Sequence, residues 1–360
     1  MENKNNFFKT GWIATVALAL IVSSCSLDIE GTDSVITEEE LGTFNGVADV
    51  DGSITNIYNS ITGQSGDQAN LYAMTEVTTD ELLVPTRGTD WGDNGVWRTL
   101  HAHTWGPTHA HVLAVWNDKN QSILRASEVL DTKSGADASQ IAEAKFLRAY
   151  NMWIIMDFYG QVPSRDPNDD AGVTPTVLTR EEAYDIVVQD LTDAITGLDA
   201  SDPSAADKSR AVKATAQLFL AKVLLNGFIY RGEDASSTQA QSDFQVVIDL
   251  VDDIEGDGYA LEADYFNIFP GPQQANSEII WTVNASAGNR MWNGLHYNQQ
   301  TPDNTGGGWN GFTTLAEFYD LYEGEAETNR PGDSPDVRRS YTQTLATTNG
   351  TNYGFGFGFQ

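Results

Sequence analysis

Six large aromatic residues fall in two stretches rich in glycine, aspartate and asparagine. Trp91, Trp97 and Trp105 lie in the first, and Trp292, Tyr297 and Trp309 in the second. A flat indole or phenol ring offers an apolar surface on which the C–H face of a sugar ring can stack, while the sugar hydroxyls need polar partners beside the stack. Arg87, Asp90, Asp93 and Asn94 stand near the first group; Asn293, Gln299 and Asn310 stand near the second. The chemistry expected here is binding, with Arg87, Asp90, Trp91, Trp97, Trp292 and Trp309 as ligand contacts. The competing reading is that single tryptophans pin long loops to a core, although six such residues in loops seldom all bury.

Other patterns carry less. His101, His103, His109 and His111 form an H-x-H…H-x-H cluster with zinc-like spacing. No cysteine supports it, and ordinary hydrogen-bonded histidines are expected. Asp166-x-Asn168-x-Asp170 begins like a calcium loop, but Ala171 and Val177 stand where glycine and glutamate are needed, so a surface loop with Asx turns is expected. The nucleophile elbow, the P-loop and the H-E-x-x-H motif are all missing. A carboxylate pair for glycoside hydrolysis could be drawn almost anywhere among 51 acidic residues and has no weight. No metal, no cofactor and no enzymatic activity are expected.

These residues need elements to position them. The chain has 360 residues, with 51 acidic and 20 basic side chains and a net charge of −31. That field repels nucleic acid. Cys25 is the sole cysteine, which excludes an intrachain disulfide. Lys4 and Lys9, the uncharged run Gly11–Val22 and the sequence Val22-Ser23-Ser24-Cys25 read as a lipoprotein signal over 1–24, with Cys25 lipidated. The apolar run is too short to span a bilayer. The mature chain would hold 336 residues (360 − 24).

Residues 25–45 read as an acidic tether, and 46–107 as a first helix over 46–62 followed by ligand loops. Apolar periodicity then predicts helices throughout 108–254. Expected stripes are Val112, Val115, Trp116, Ile123 and Leu130; Ala183, Ile186, Val187, Leu191, Ala194 and Leu198; Val212, Ala216, Phe219, Val223 and Leu224; and Phe244, Val247, Ile248 and Val251. The segment Ile141–Phe158 is apolar nearly all round after Phe146, as in a helix buried between neighbours. Its Glu143, Arg148 and Asp157 are expected to tie helices together. Thr179 and Glu182 form a capping box. Residues 255–360 revert to loops, with a short strand expected at Ile279–Val283 and a short helix at Phe312–Tyr322. The fold class is mostly α, a TPR-like scaffold of helical pairs with a loop-rich ligand-binding region.

Two longer stretches carry a family resemblance. One runs from Thr79-Asp80-Glu81-Leu82-Leu83-Val84-Pro85-Thr86-Arg87-Gly88-Thr89-Asp90-Trp91 through Trp97–Trp105. The other is Ala142-Glu143-Ala144-Lys145-Phe146-Leu147-Arg148-Ala149-Tyr150, continuing to Phe158–Pro163. With the lipobox, the helix from Arg180 and Asp336-Val337-Arg338 in matching order, the chain resembles the SusD/RagB family. The resemblance implies a lipoprotein anchored on the outer face of the outer membrane. Such a protein captures oligosaccharides or peptides and delivers them to a TonB-dependent transporter barrel. It also implies further loops and closing helices beyond the Gly-Phe tail at 353–360, so the chain is expected to lack the C-terminal part of that fold. Two alternatives stand beside this reading. A secreted glycan hydrolase would release reducing sugar, and a helical scaffold that binds only protein would bind no glycan.

Overall fold

The computed structural model describes residues 44–170, 172–263, 268, 276–283, 293–294, 297 and 308–319. The signal segment, Cys25, the tether up to residue 43, Trp292, Gln299, Asp336–Arg338 and the tail at 353–360 lie outside the described residues.

Helix α1, Val50–Gly66, buries Ile54, Ile57, Tyr58 and Ile61. It begins later than the expected residue 46. Gly46 has φ +91° and sits against the Lys133 carbonyl, and the Val47 N–H donates to Ser134 Oγ at 2.9 Å. The chain is pinned there in a non-helical shape and turns helical only after Asp49, whose carboxylate caps the Gly52 N–H at 2.9 Å. Two short helices break the region expected as loops: α2, Asn70–Glu76, and α3, Val96–His101. Strand β1, Leu82–Leu83, lies between them.

The scaffold follows. It comprises α4 Ala110–Leu130, α5 Ala138–Tyr159, α6 Arg180–Gly197, α7 Lys213–Leu225, the single turn α8 Gly227–Tyr230, and α9 Thr238–Gly256. The long helices pack in chain order, α4 on α5, α5 on α6, α6 on α7 and α7 on α9, each burying apolar side chains against its neighbour in sequence. A hairpin of β2, Gln161–Ser164, and β3, Thr176–Thr179, joins α5 to α6 with Val162 opposite Leu178. Gly160, at φ +75°, stops α5. Capping boxes at Asp137/Gln140 and Thr179/Glu182 start α5 and α6. No helix among the described residues is long and apolar enough to cross a membrane.

Helix α5 occupies the centre, with Phe146, Leu147, Ile155 and Met156 fully enclosed. Its polar residues tie helices, as expected. Glu143 accepts from Tyr58 Oη at 3.0 Å and from Arg210 at 2.7 Å. Arg148 grips buried Asp190 of α6 with two bonds of 2.7 and 2.8 Å. Asp157 accepts from Tyr230 Oη at 2.9 Å. The Asp166 loop holds its expected Asx turn, Asn168 N–H to Asp166 Oδ1 at 2.9 Å.

Two expectations for the later chain need correction. The α9 stripe is only half covered. Phe244 and Val247 are half-buried, against Phe228 and the main core, whereas Ile248 and Val251 are 53% and 39% exposed. Helix α9 meets α7 also through Ile254 beside Ala214 and the Gln217–Asp253 bond of 3.3 Å. Segment Ile279–Val283 forms no strand. The buried Lys208 ammonium donates to the carbonyls of Pro203, Asn276 and Ile279 at 2.8, 2.8 and 2.6 Å, and the Thr282 N–H donates to the Lys208 carbonyl at 3.0 Å. The Ile279 carbonyl and the Thr282 N–H are thus satisfied by Lys208 and not by a partner strand. Within Phe312–Tyr322, Thr313–Thr314 form strand β4 and only Ala316–Tyr319 form a helix, α10; residues beyond 319 lie outside the description.

Candidate functional site

A second, smaller core gathers Ala73 and Val77 of α2 and its C-cap, Leu82, Val84, Trp97, Leu100 and Phe312, with Tyr72, Trp91 and Val96 packed against it. Strand β1 pairs antiparallel with β4, Leu82 opposite Thr314 and Leu83 opposite Thr313. Thr314 Oγ1 also donates to the Glu81 carbonyl at 2.7 Å. The two loop regions, more than 200 residues apart in sequence, are thus sewn into one structure.

Arg87-Gly88-Thr89-Asp90 forms a tight turn closed by Arg87 N–H to Asp90 carbonyl at 2.9 Å and the reciprocal bond at 3.0 Å. From its ends the side chains reach the second loop region. Arg87 Nε donates to the Asn310 carbonyl at 2.5 Å, and Trp91 Nε1 donates to the Trp309 carbonyl at 2.9 Å. Asp90 accepts from Tyr297 Oη at 2.8 Å, which holds that phenol above its ordinary pKa. Trp91 itself has φ +57°, and Asp93, Asn94 and Asn310 are likewise left-handed at +34°, +53° and +48°. Such conformations cost about 1–3 kcal/mol each in bulky residues and persist where surrounding contacts over-determine them, as at ligand clamps.

The structure therefore brings together Arg87, Asp90, Trp91 and Trp309, with Trp91 and Trp309 half-buried and Asp90 exposed. Sequence reasoning had named Tyr297 as an aromatic but not as the partner of Asp90. The pairing needs the loops to meet and leaves no mark in either stretch. Trp97 requires correction. It is only 5% exposed, its indole N–H is spent on Asp93 Oδ2 at 2.6 Å, and its ring packs against Trp91, Phe312 and His111. It props Trp91 from below and presents no face to a ligand. Trp105 is 41% exposed and meets His103 edge-on.

The histidines hold loops. His101, His103 and His109 each have a ring nitrogen on a backbone carbonyl, of Val77, Thr78 and Val96 at 3.3, 2.7 and 3.1 Å. His111 Nδ1 accepts from the Asn70 N–H at 3.2 Å. Burial, with a contribution from His109, lowers the His111 pKa to about 4, so the ring is neutral at pH 7. Among the described residues no group of three or more metal-ligating side chains converges.

Helical pairs stacked in chain order, bearing a strained aromatic loop platform, define a class: a helical scaffold that displays its aromatic and polar loop residues outside any barrel or sheet crevice. Residues 35–225 match the SusD-like family model described as starch-binding and associating with the outer membrane, and the chain belongs to that family. It is 26% identical over 227 residues to the starch-binding protein SusD of Bacteroides thetaiotaomicron, covering 61% of this chain and 38% of that protein. Its fold is similar to a SusD-like protein from Bacteroides fragilis, with TM-score 0.60, 19% identity, and coverage of 78% of this chain and 54% of the other. It is also similar to surface glycan-binding protein A from B. thetaiotaomicron in complex with laminarihexaose, with TM-score 0.61, 16% identity, and coverage of 85% and 68%. The chain thus spans little more than a third of the starch-binding relative and just over half of the B. fragilis structure.

Proposed function

We propose that this protein captures an oligosaccharide at the Arg87–Trp91 turn without catalysing its cleavage. The carrying observation is the convergence of Arg87, Asp90 and Trp91 with Trp309 and Tyr297, drawn from two distant loops and held in a strained arrangement. A sugar ring would stack on an indole face while Arg87 donates to, and Asp90 accepts from, its hydroxyls. Trp292, next to described Asn293, is assigned to the same platform. The family match and the ligands of the relatives, starch and laminarihexaose, support a glycan over a peptide. The remaining assignments extend this reading: Cys25 carries the lipid, the protein sits on the outer face of the outer membrane, and the captured glycan passes to a TonB-dependent transporter barrel. Moderate affinity suits that role, because transfer requires release.

The test is isothermal titration of the mature, unlipidated chain with maltohexaose and laminarihexaose, alongside an assay for reducing ends. Saturable heat without new reducing ends is expected, and Trp91→Ala with Trp309→Ala removes its tighter component. Product formation, or binding indifferent to both substitutions, sinks the proposal.

A further inference from the structure

A groove of about 530 Å³ opens in the scaffold between α2, α5, α7 and α8, outside the loop platform. Its aromatic lining includes Tyr72, Tyr150, Trp153 and Tyr230, and its polar lining includes Glu76, Asp157 and Lys222. Tyr72 bounds the groove and also stacks on Phe312, so the groove and the loop platform share one aromatic wall. The floor is organised by a chain of bonds: Trp153 Nε1 donates to Tyr230 Oη at 3.0 Å, and that hydroxyl donates to Asp157 Oδ1 at 2.9 Å. Tyr230 is 6% exposed, while Asp157 is exposed at the groove. Lys222, also exposed, rests its ammonium over the Trp153 ring, 4.6 Å from the centroid.

We infer that this groove is a second saccharide site, taking a neutral hexose unit. Flat rings flanked by carboxylate acceptors and an ammonium donor are the complement of a sugar's apolar faces and hydroxyl edges. The size falls within the range of small-ligand sites. Charge selects the class. Glu76 and Asp157 outnumber Lys222 along the lining, within a chain of net charge −31, so uronic acids, sulfated sugars and phosphates are disfavoured. The Lys222 side chain covers an indole face that a ring can take over. Displaced, its ammonium becomes a hydroxyl donor at the rim. Weak millimolar binding here would hold a long glycan at two points, and two linked contacts raise the apparent affinity well beyond either alone.

The site is tested on the full mature chain carrying Arg87→Ala and Asp90→Ala, which removes the polar contacts of the loop platform. Titration with maltohexaose and laminarihexaose is expected to show one remaining weak equivalent. Adding Ile229→Arg abolishes it, because Ile229 lines the groove, is 50% exposed and accepts bulk without disturbing the core. Glu76→Ala weakens it about tenfold, the value of one charged hydrogen bond. If the unsubstituted protein binds and the platform variant binds neither sugar, the second site is wrong while the loop platform stands. Residual binding unchanged by Ile229→Arg and Glu76→Ala also overturns it. If the unsubstituted protein binds neither sugar, both proposals fall together.

Discussion

Gly311 lies flat against the indole of Trp91: a Cβ added there would sit 2.2 Å from Trp91 Cζ2 and 2.3 Å from Cε2. Because Trp91 also donates to the carbonyl of Trp309, its ring is held from two sides by the backbone of the second loop region. Gly311→Ala must therefore push out an indole that is itself propped by Trp97 and Phe312. The expected outcome is a loss of about 1–3 kcal/mol in urea denaturation, the usual cost of overpacking, together with at least tenfold weaker glycan binding. Unchanged binding by the alanine variant would show that the Trp91 position does not matter to the ligand.

The Arg148–Asp190 pair is the firmest electrostatic tie between α5 and α6. Asp190 is nearly enclosed and bonded twice, whereas Arg148 keeps about a quarter of its side chain in solvent. Asp190→Ala strands a half-buried guanidinium. A destabilisation of about 3 kcal/mol is expected, the low end for a broken buried pair given the exposure of the arginine. Chemical denaturation measures it, and a change below about 1 kcal/mol would place the pair with ordinary surface ion pairs.

Lys119 is fully enclosed on the packed face of α4, and its one ionic neighbour, Asp118 at 3.0 Å, is the adjacent residue. Burial lowers its pKa, and Asp118 offsets only part of that effect. The unfolded chain then holds this proton more tightly than the native one. Stability at this site is therefore lowest at neutral pH and is regained as pH rises toward the unfolded value of about 10.4. Lys119→Met is expected to stabilise the protein by about 1–4 kcal/mol near neutrality. Its advantage over the unsubstituted protein should shrink as denaturation is repeated at pH approaching 10. A constant advantage across that range would mean that the native state holds the Lys119 proton as firmly as the unfolded chain does, and so that burial does not lower its pKa.

His111 acts at the acid end. Its ring lies against Trp97, centroids 4.9 Å apart, with a folded pKa of about 4 against an ordinary value near 6.5. The unfolded chain takes up the proton first. Its contribution is fully present above about pH 6.5, falls as pH drops toward 4, and levels off below that, a total of up to about 3 kcal/mol. Acid denaturation should show this limb, and His111→Gln should flatten it. Because Trp97 supports Trp91, glycan affinity of the folded protein should fall only as the folded ring itself takes the proton, near pH 4. An unaltered acid limb in the glutamine variant would assign that sensitivity to the carboxylates.

If Cys25 carries the proposed lipid, Cys25→Ser is expected to move the protein from the detergent-rich to the aqueous phase on detergent phase partitioning of expressing cells, since acyl chains at about 0.8 kcal/mol per buried CH₂ would supply the anchor. Retention of the variant with membranes would deny the lipid its proposed part.

Much of the scaffold was legible residue by residue. The capping box at Thr179 and Glu182, the all-round apolarity of Ile141–Phe158 and the stripe from Ala183 to Ala194 are local patterns with a period of 3.6, and local backbone and solvent preferences suffice to realise them. Sequence alone also marked the two aromatic loop regions, the polar residues beside them and the family resemblance. At Ile248 and Val251 the α9 stripe misled, because periodicity states that a face is apolar, not that a neighbour exists to cover it.

What tertiary structure decided was which aromatic points where. Trp91 and Trp97 are six residues apart in the same glycine-rich stretch, yet one rests on the backbone of residues 309–311 and the other is sealed beneath it. The same holds for Asp90 meeting Tyr297, and for Lys208 capturing the 276–283 segment. In loops, no backbone period assigns a side chain to core or solvent. That assignment comes from contacts between segments far apart in the chain, which exist only once the fold has closed them together.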